Sequence, residues 1–161
     1  MGKKSGRNPC DRGKSGVKRS LLTEAAGIPV GLEVDGANRH DMKLTAATLA
    51  SVPQSVEDKR LQHLAQQESE QGLCLDAGYD YDDVREIAEA FGYTTHIRTR
   101  GEEAKAKEAG QKARRWVVER THSWLNRYRR LLVRWEKKEV NYLALLHFAC
   151  ALITWNRALF G

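Results

Sequence analysis

Gly72-Leu73-Cys74-Leu75-Asp76-Ala77-Gly78-Tyr79-Asp80 is the stretch whose reading decides the fold. Leu73, Cys74 and Leu75 form a short apolar run that reads as a buried strand. Asp76 then falls at the strand's C-terminal end, where open α/β sheets place their chemistry. Gly78 permits a tight turn, and Asp80 is placed to cap a following helix. The same residues also suit a plain turn with no function.

Downstream, Val84, Ile87, Ala88 and Phe91 recur at helical spacing, so residues 81–91 are expected to form a helix that stops at Gly92. Tyr93 to Ile97 follows as another strand. Upstream, residues 17–24 and the alternating Val30, Leu32 and Val34 after Pro29 predict an antiparallel hairpin. Asp41 is expected to cap a helix over 42–52, stopped by Pro53. Residues 54–71 are polar and suggest a weak helix or a surface connection. Residues 1–16 are rich in Gly, Ser and Lys and read as a basic, flexible lead-in. Residues 98–112 read as a mobile charged loop. One long helix is expected over 113–132, and a last, largely buried helix over 140–159. Strands alternating with helices after a hairpin give an α/β class: a mixed sheet with helices on its faces.

The chain has 161 residues, enough for one domain with a sizeable core. Its longest apolar run, 142–155, looks too short to cross a membrane, and the basic N-terminus has no apolar signal core. Cys10, Cys74 and Cys150 are odd in number and far apart, which suits reduced thiols in a cytoplasmic protein. The net charge of +6 is unevenly spread. Residues 1–19 carry seven Lys/Arg against one Asp, residues 20–97 five against fourteen acids, and residues 98–134 twelve against four. An acidic middle between basic blocks suits a polyanion held at the edges of a metal-binding centre; solvated charge gives the same pattern.

Residues 114–130 read RRWVVERTHSWLNRYRR. On a helix, Val117, Thr121, Trp124, Tyr128 and Leu131 share a stripe that faces the core. Arg115, Glu119, His122, Ser123, Asn126 and Arg130 share the opposite one. Glu119 is the single acid there, read either as a partner of Arg115 or as a ligand for a divalent cation. Trp116, Trp124, Trp135 and Trp155 read mainly as core, as does His147; His40 and Asp41 read as a strand end and a helix cap.

CDRGKSGVKRSLL (10–22), GANRHD (36–41), LDAGYD (75–80) and RRWVVERTHSWLNRYRRLLVRWEKK (114–138) together resemble bacterial insertion-sequence transposases of the DDE class. The resemblance is nearest to the large grouping numbered five, alongside four, and covers about residues 7–157. It implies an RNase H-like catalytic domain over 17–161, partial because its first strand is missing. It implies DNA transposition by metal-dependent phosphodiester cleavage and strand transfer, with Mg²⁺ or Mn²⁺ as cofactor. Its second catalytic aspartate falls on Asp76, beside Gly78 and Tyr79, and its glutamate on Glu119; both serve as metal ligands. The motif's arginine falls on Arg115, whereas its tyrosine and lysine positions hold Lys112 and Asn126, with Arg127 alongside. Lys112, Arg115, Arg120, Arg127 and Arg130 are the implied DNA contacts on this segment, with Lys18 and Arg19 on the hairpin. Asp11 lies after the missing strand and is not assigned as the first aspartate. The chain alone is therefore expected to be inactive. The alternative is a non-catalytic DNA-binding remnant or a modulator of the full-length enzyme. The implied partners are transposon ends, target DNA and further copies of the protein, with no membrane, in a cytoplasmic, nucleoid-associated setting.

Overall fold

The computed structural model describes residues 4–9, 12–67, 70–97, 102 and 116–160. Asp11, Arg98, Arg100, Lys105, Lys107, Lys112 and Arg115 lie outside the described residues.

A hairpin is the wall of the molecule. Strands β2 (Ser15–Thr23) and β3 (Pro29–Gly36) pair antiparallel, from Val17 opposite Gly36 to Thr23 opposite Pro29, with an irregularity at Leu22/Thr23. A two-residue strand, β1 (Gly6–Arg7), pairs with Gly16 and Ser15, so part of the expected flexible lead-in is ordered as a tight extension of this sheet. Because neighbouring residues on a strand point to opposite faces, the hairpin separates two cores. Leu32 and Val34, with Val17 and Leu21, pack on one face against Leu125, Leu131, Tyr142, Leu146, Ala149 and Ile153. Leu22 packs on the other with Leu49, Leu73, Leu75 and Ala88.

The second core belongs to α1 (Thr45–Ala50), β4 (Gln71–Leu75), α3 (Asp82–Ala90) and β5 (Tyr93–Ile97), with α2 (Gln54–Gln67) connecting α1 to β4. Strands β4 and β5 pair in parallel from Gln71–Tyr93 to Leu75–Ile97. The connection between them is α3, which buries Val84 and Ala88 and ends at Gly92, whose φ of 73° suits a residue without Cβ. Gly31 lets α1 approach the hairpin: a Cβ there would sit 2.8 Å from the Thr48 carbonyl oxygen.

The α/β class holds, but the expected single mixed sheet does not form. The described residues make a three-stranded antiparallel sheet and a separate two-stranded parallel one. Their adjoining strands share the Leu22–Leu73–Leu75 cluster without a ladder between them.

Several local expectations also change. The helix expected over 42–52 is a 3-10 turn (Asp41–Leu44) running into the short α1, and Asp41 pairs with Lys18 at 3.1 Å instead of capping. Asp80 does not cap α3; it pairs with Arg85, and Tyr81 takes the cap position with no side-chain bond. The long helix breaks into α4 (Trp116–Asn126) and α5 (Arg129–Leu132), because Tyr128 adopts an extended backbone that turns Leu131 into the first core.

The last helix, α6 (Glu139–Phe160), is long and apolar enough to cross a membrane by length and composition, contrary to the sequence expectation. It buries only one stripe, Tyr142, Leu146, Ala149 and Ile153, against β3 and α4. Its other face is open, so the expected near-complete burial fails. Trp116, Trp155 and His147 are exposed on helix faces that no described element covers, and Trp135 is exposed in the connection between α5 and the last helix. Cys74, expected inside, is exposed.

Candidate metal and nucleic-acid site

Asp76 directly follows β4. Its backbone is extended and its carboxylate accepts a hydrogen bond from the Gly78 N–H at 3.0 Å, which closes the 3-10 turn Ala77–Tyr79. The turn brings the Tyr79 hydroxyl back to the hairpin, beside the Ser20 side chain. Ser20 in turn accepts from the Thr48 hydroxyl at 2.7 Å. Burial, with Asp41 and Asp76 nearby, pushes the Tyr79 phenol up to about 12, so it stays protonated at neutral pH. The turn that presents Asp76 thus meets β2 at Ser20, which the Thr48 hydroxyl also reaches. Sequence reading missed Ser20 and Thr48; their signal was a hydroxyl on the buried face of a strand and another on the facing helix.

Glu119 sits in the first turn of α4, exposed, on a helix anchored by its opposite face. Val117, Thr121 and Leu125 are buried, and the Thr121 hydroxyl donates to the Gly27 carbonyl at 2.7 Å. This corrects the expected stripe: Leu125 takes the buried position, and Trp124 is only half-buried. Arg120 lies between Trp116 and Trp124, 4.6 and 5.0 Å from their ring centres, and donates to the Ala26 carbonyl. Such stacking lets a guanidinium close a helix onto a hairpin turn.

Arg19 plays the corresponding part on β2. It donates to the Tyr142 hydroxyl at 2.9 Å, to Asn126 at 3.1 Å and to the Leu131 carbonyl, tying β2 to α4, α5 and α6. His122 is mostly buried beside Arg19 and Glu119; desolvation and the Arg19 charge lower its pKa, and Glu119 opposes them. Arg19 and Ser20 are consecutive on β2 and serve its two faces. Residues around Glu119 therefore meet one face of the hairpin, and residues around Asp76 the other.

Among the basic candidates, Arg127 and Arg130 are exposed, with Arg130 3.4 Å from Glu136. Lys18 donates to the Arg39 carbonyl at 2.8 Å and pairs with Asp41. Arg19 and Arg120 are engaged within the fold, as described. Two carboxylates offer hard oxygen ligands of the type Mg²⁺ prefers. Among the described residues, no three His, Cys, Asp or Glu side chains come together as a metal cage.

The model of the transposase DDE domain family matches residues 2–154. A protein of Burkholderia cepacia that carries the provisional name of transposase for insertion sequence element IS402 is 33% identical over 155 residues, covering 95% of this chain and 69% of that protein. No solved structure matches the chain. A family match across almost the whole length, with a relative 33% identical over 95% of the chain, makes this chain a member of the DDE transposase family.

Proposed function

We propose that the chain acts in DNA transposition as the part of an RNase H-like DDE catalytic domain that contributes Asp76 and Glu119. The observation that carries this is the built presentation of Asp76: a strand end, a turn closed on its own carboxylate, and a tyrosine anchoring that turn to the hairpin. Asp76 and Glu119 would each offer a carboxylate to Mg²⁺ or Mn²⁺, which would supply charge stabilisation at the phosphate oxygens of the scissile DNA. The exposed Arg127 and Arg130, just beyond the C-terminal end of the Glu119 helix, would meet the DNA backbone, with Lys18, Lys112 and Arg115 as further contacts. Arg19 and Arg120 would serve by holding the hairpin and the Glu119 helix in place. The setting is the bacterial cytoplasm, on the nucleoid.

The same reading makes the chain deficient by itself. Two sheets that share an apolar cluster without pairing support a fold that needs one more strand between them. The chain alone should bind DNA with steep salt dependence yet neither nick nor join it. Incubation with supercoiled plasmid or transposon-end DNA and Mg²⁺ or Mn²⁺ tests this. Robust strand transfer lost in Asp76→Ala would disprove the deficiency while supporting the site. Mn²⁺ binding unchanged in both Asp76→Ala and Glu119→Ala would remove the site itself.

A further inference from the structure

The open face of α6 carries a second, independent pattern. Asn141, Ala144, Phe148, Ala151, Trp155 and Ala158 are separated by alternating steps of three and four residues, and all six are exposed. They lie opposite the buried stripe Tyr142, Leu146, Ala149 and Ile153. Alternating three–four spacing is the seam of a two-helix coiled coil. Here one register position holds Asn, Phe and Trp, and the other holds Ala each time.

We propose that this face is a dimer interface on which α6 packs antiparallel against α6 of a second copy of the chain. Antiparallel pairing about a two-fold axis sets each large residue against a small one. Phe148 meets the partner's Ala151, Trp155 meets the partner's Ala144, and Asn141 meets the partner's Ala158. Every pairing recurs on the other side of the axis, as an isologous interface requires. A parallel pairing would stack Phe148 and Trp155 on their own copies and leave alanine layers hollow, against the need to interleave large with small.

Area points the same way. Phe148 is 63% exposed and Trp155 64%, with Val140 at 75% and Leu159 at 57% flanking them. At roughly 150–250 Å² per aromatic, the two rings alone leave about 300 Å² in water. The flanking side chains along a helix about 33 Å long bring the face to about 700 Å² per copy, near the ~800 Å² of a standard interface. Residues 140–156 contain no Lys, Arg, Asp or Glu, so two copies approach without like-charge repulsion. A back face already buried in the core makes a lipid surface a poor occupant. The inference does not depend on metal or DNA chemistry.

Sedimentation equilibrium of the purified chain tests it, with far-ultraviolet circular dichroism confirming the fold of each variant. The chain should sediment at twice 18.2 kDa. Phe148→Glu should halve that mass. Adding Ala151→Lys to Phe148→Glu should restore the dimer, because the antiparallel register alone sets each new acid against a new base. If Phe148→Glu fails to fold, Ala151→Lys alone should give the folded monomer. A monomeric parent chain, a dimer indifferent to both single substitutions, or a monomer that floats with phosphatidylcholine vesicles would each overturn the proposal.

Discussion

The two sides of the hairpin are built to different standards. On one side, Leu32, Val34, Leu125, Leu131, Tyr142, Leu146, Ala149 and Ile153 form a core of eight buried residues, drawn from a long antiparallel pair and three helices. On the other, Leu49, Leu73 and Ala88 are the buried core of α1, α3 and a two-stranded parallel pair. Parallel pairs are slightly less stable per residue and normally sit inside larger covered sheets. Asp76 stands on the thin side and Glu119 on the thick side. The glutamate helix is therefore held by the fold's main core, whereas the aspartate strand leans on a small cluster and on Tyr79 beside Ser20.

The largest expected effect breaks this contrast directly. Leu146 is fully buried in the thick core, and Leu146→Ala should cost about 2–5 kcal/mol in urea unfolding, exposing every probe together. Leu73→Ala, in the thin core, should fall at the low end of that range and speed amide exchange in β4–β5 while leaving β2–β3 protected. Equal losses and uniform exchange would erase the difference between the two sides.

A smaller effect sharpens the part played by Arg19. Arg19→Met keeps the aliphatic stem but removes the donors to Tyr142, Asn126 and the Leu131 carbonyl. The loss should be about 1–3 kcal/mol, and DNA affinity at matched salt should change little. Lost affinity with unchanged stability would return Arg19 to the DNA contacts.

The smallest effect is chemical and leaves stability untouched. Burial against the thick core raises the Cys150 thiol to about 11, so its reactive thiolate stays scarce at pH 8 and grows only as pH approaches that value. Cys74 on the thin side is exposed. Iodoacetamide followed by peptide mass mapping should modify Cys74 well before Cys150 at pH 8. Equal rates would mean that the thick core opens more readily than its packing implies.

Much of this was legible in the chain alone. The hairpin, β4, α3 and β5 follow from short-range periodicity, and Gly92 stops α3 through a local backbone requirement. Asp76 at a strand end was readable because a strand, a carboxylate and a glycine turn are adjacent in sequence. The caps were less legible. Asp41 and Asp80 have good capping chemistry, but Lys18 and Arg85 offer them ion pairs, and a cap competes with every cation that folding brings near.

By itself, then, the sequence determined most of the local elements, their order and the family, because each depends on residues close along the chain. Only the tertiary structure decided which apolar residues are covered. It opened a face of α6 that composition marked as buried, broke the helix after Asn126, and turned Arg19 and Arg120 inward as clamps. It also left the strands in two sheets instead of one. The physical reason is that burial and pairing are settled by which distant surfaces meet, and an apolar stripe carries the same pattern whether it meets its own core or another molecule.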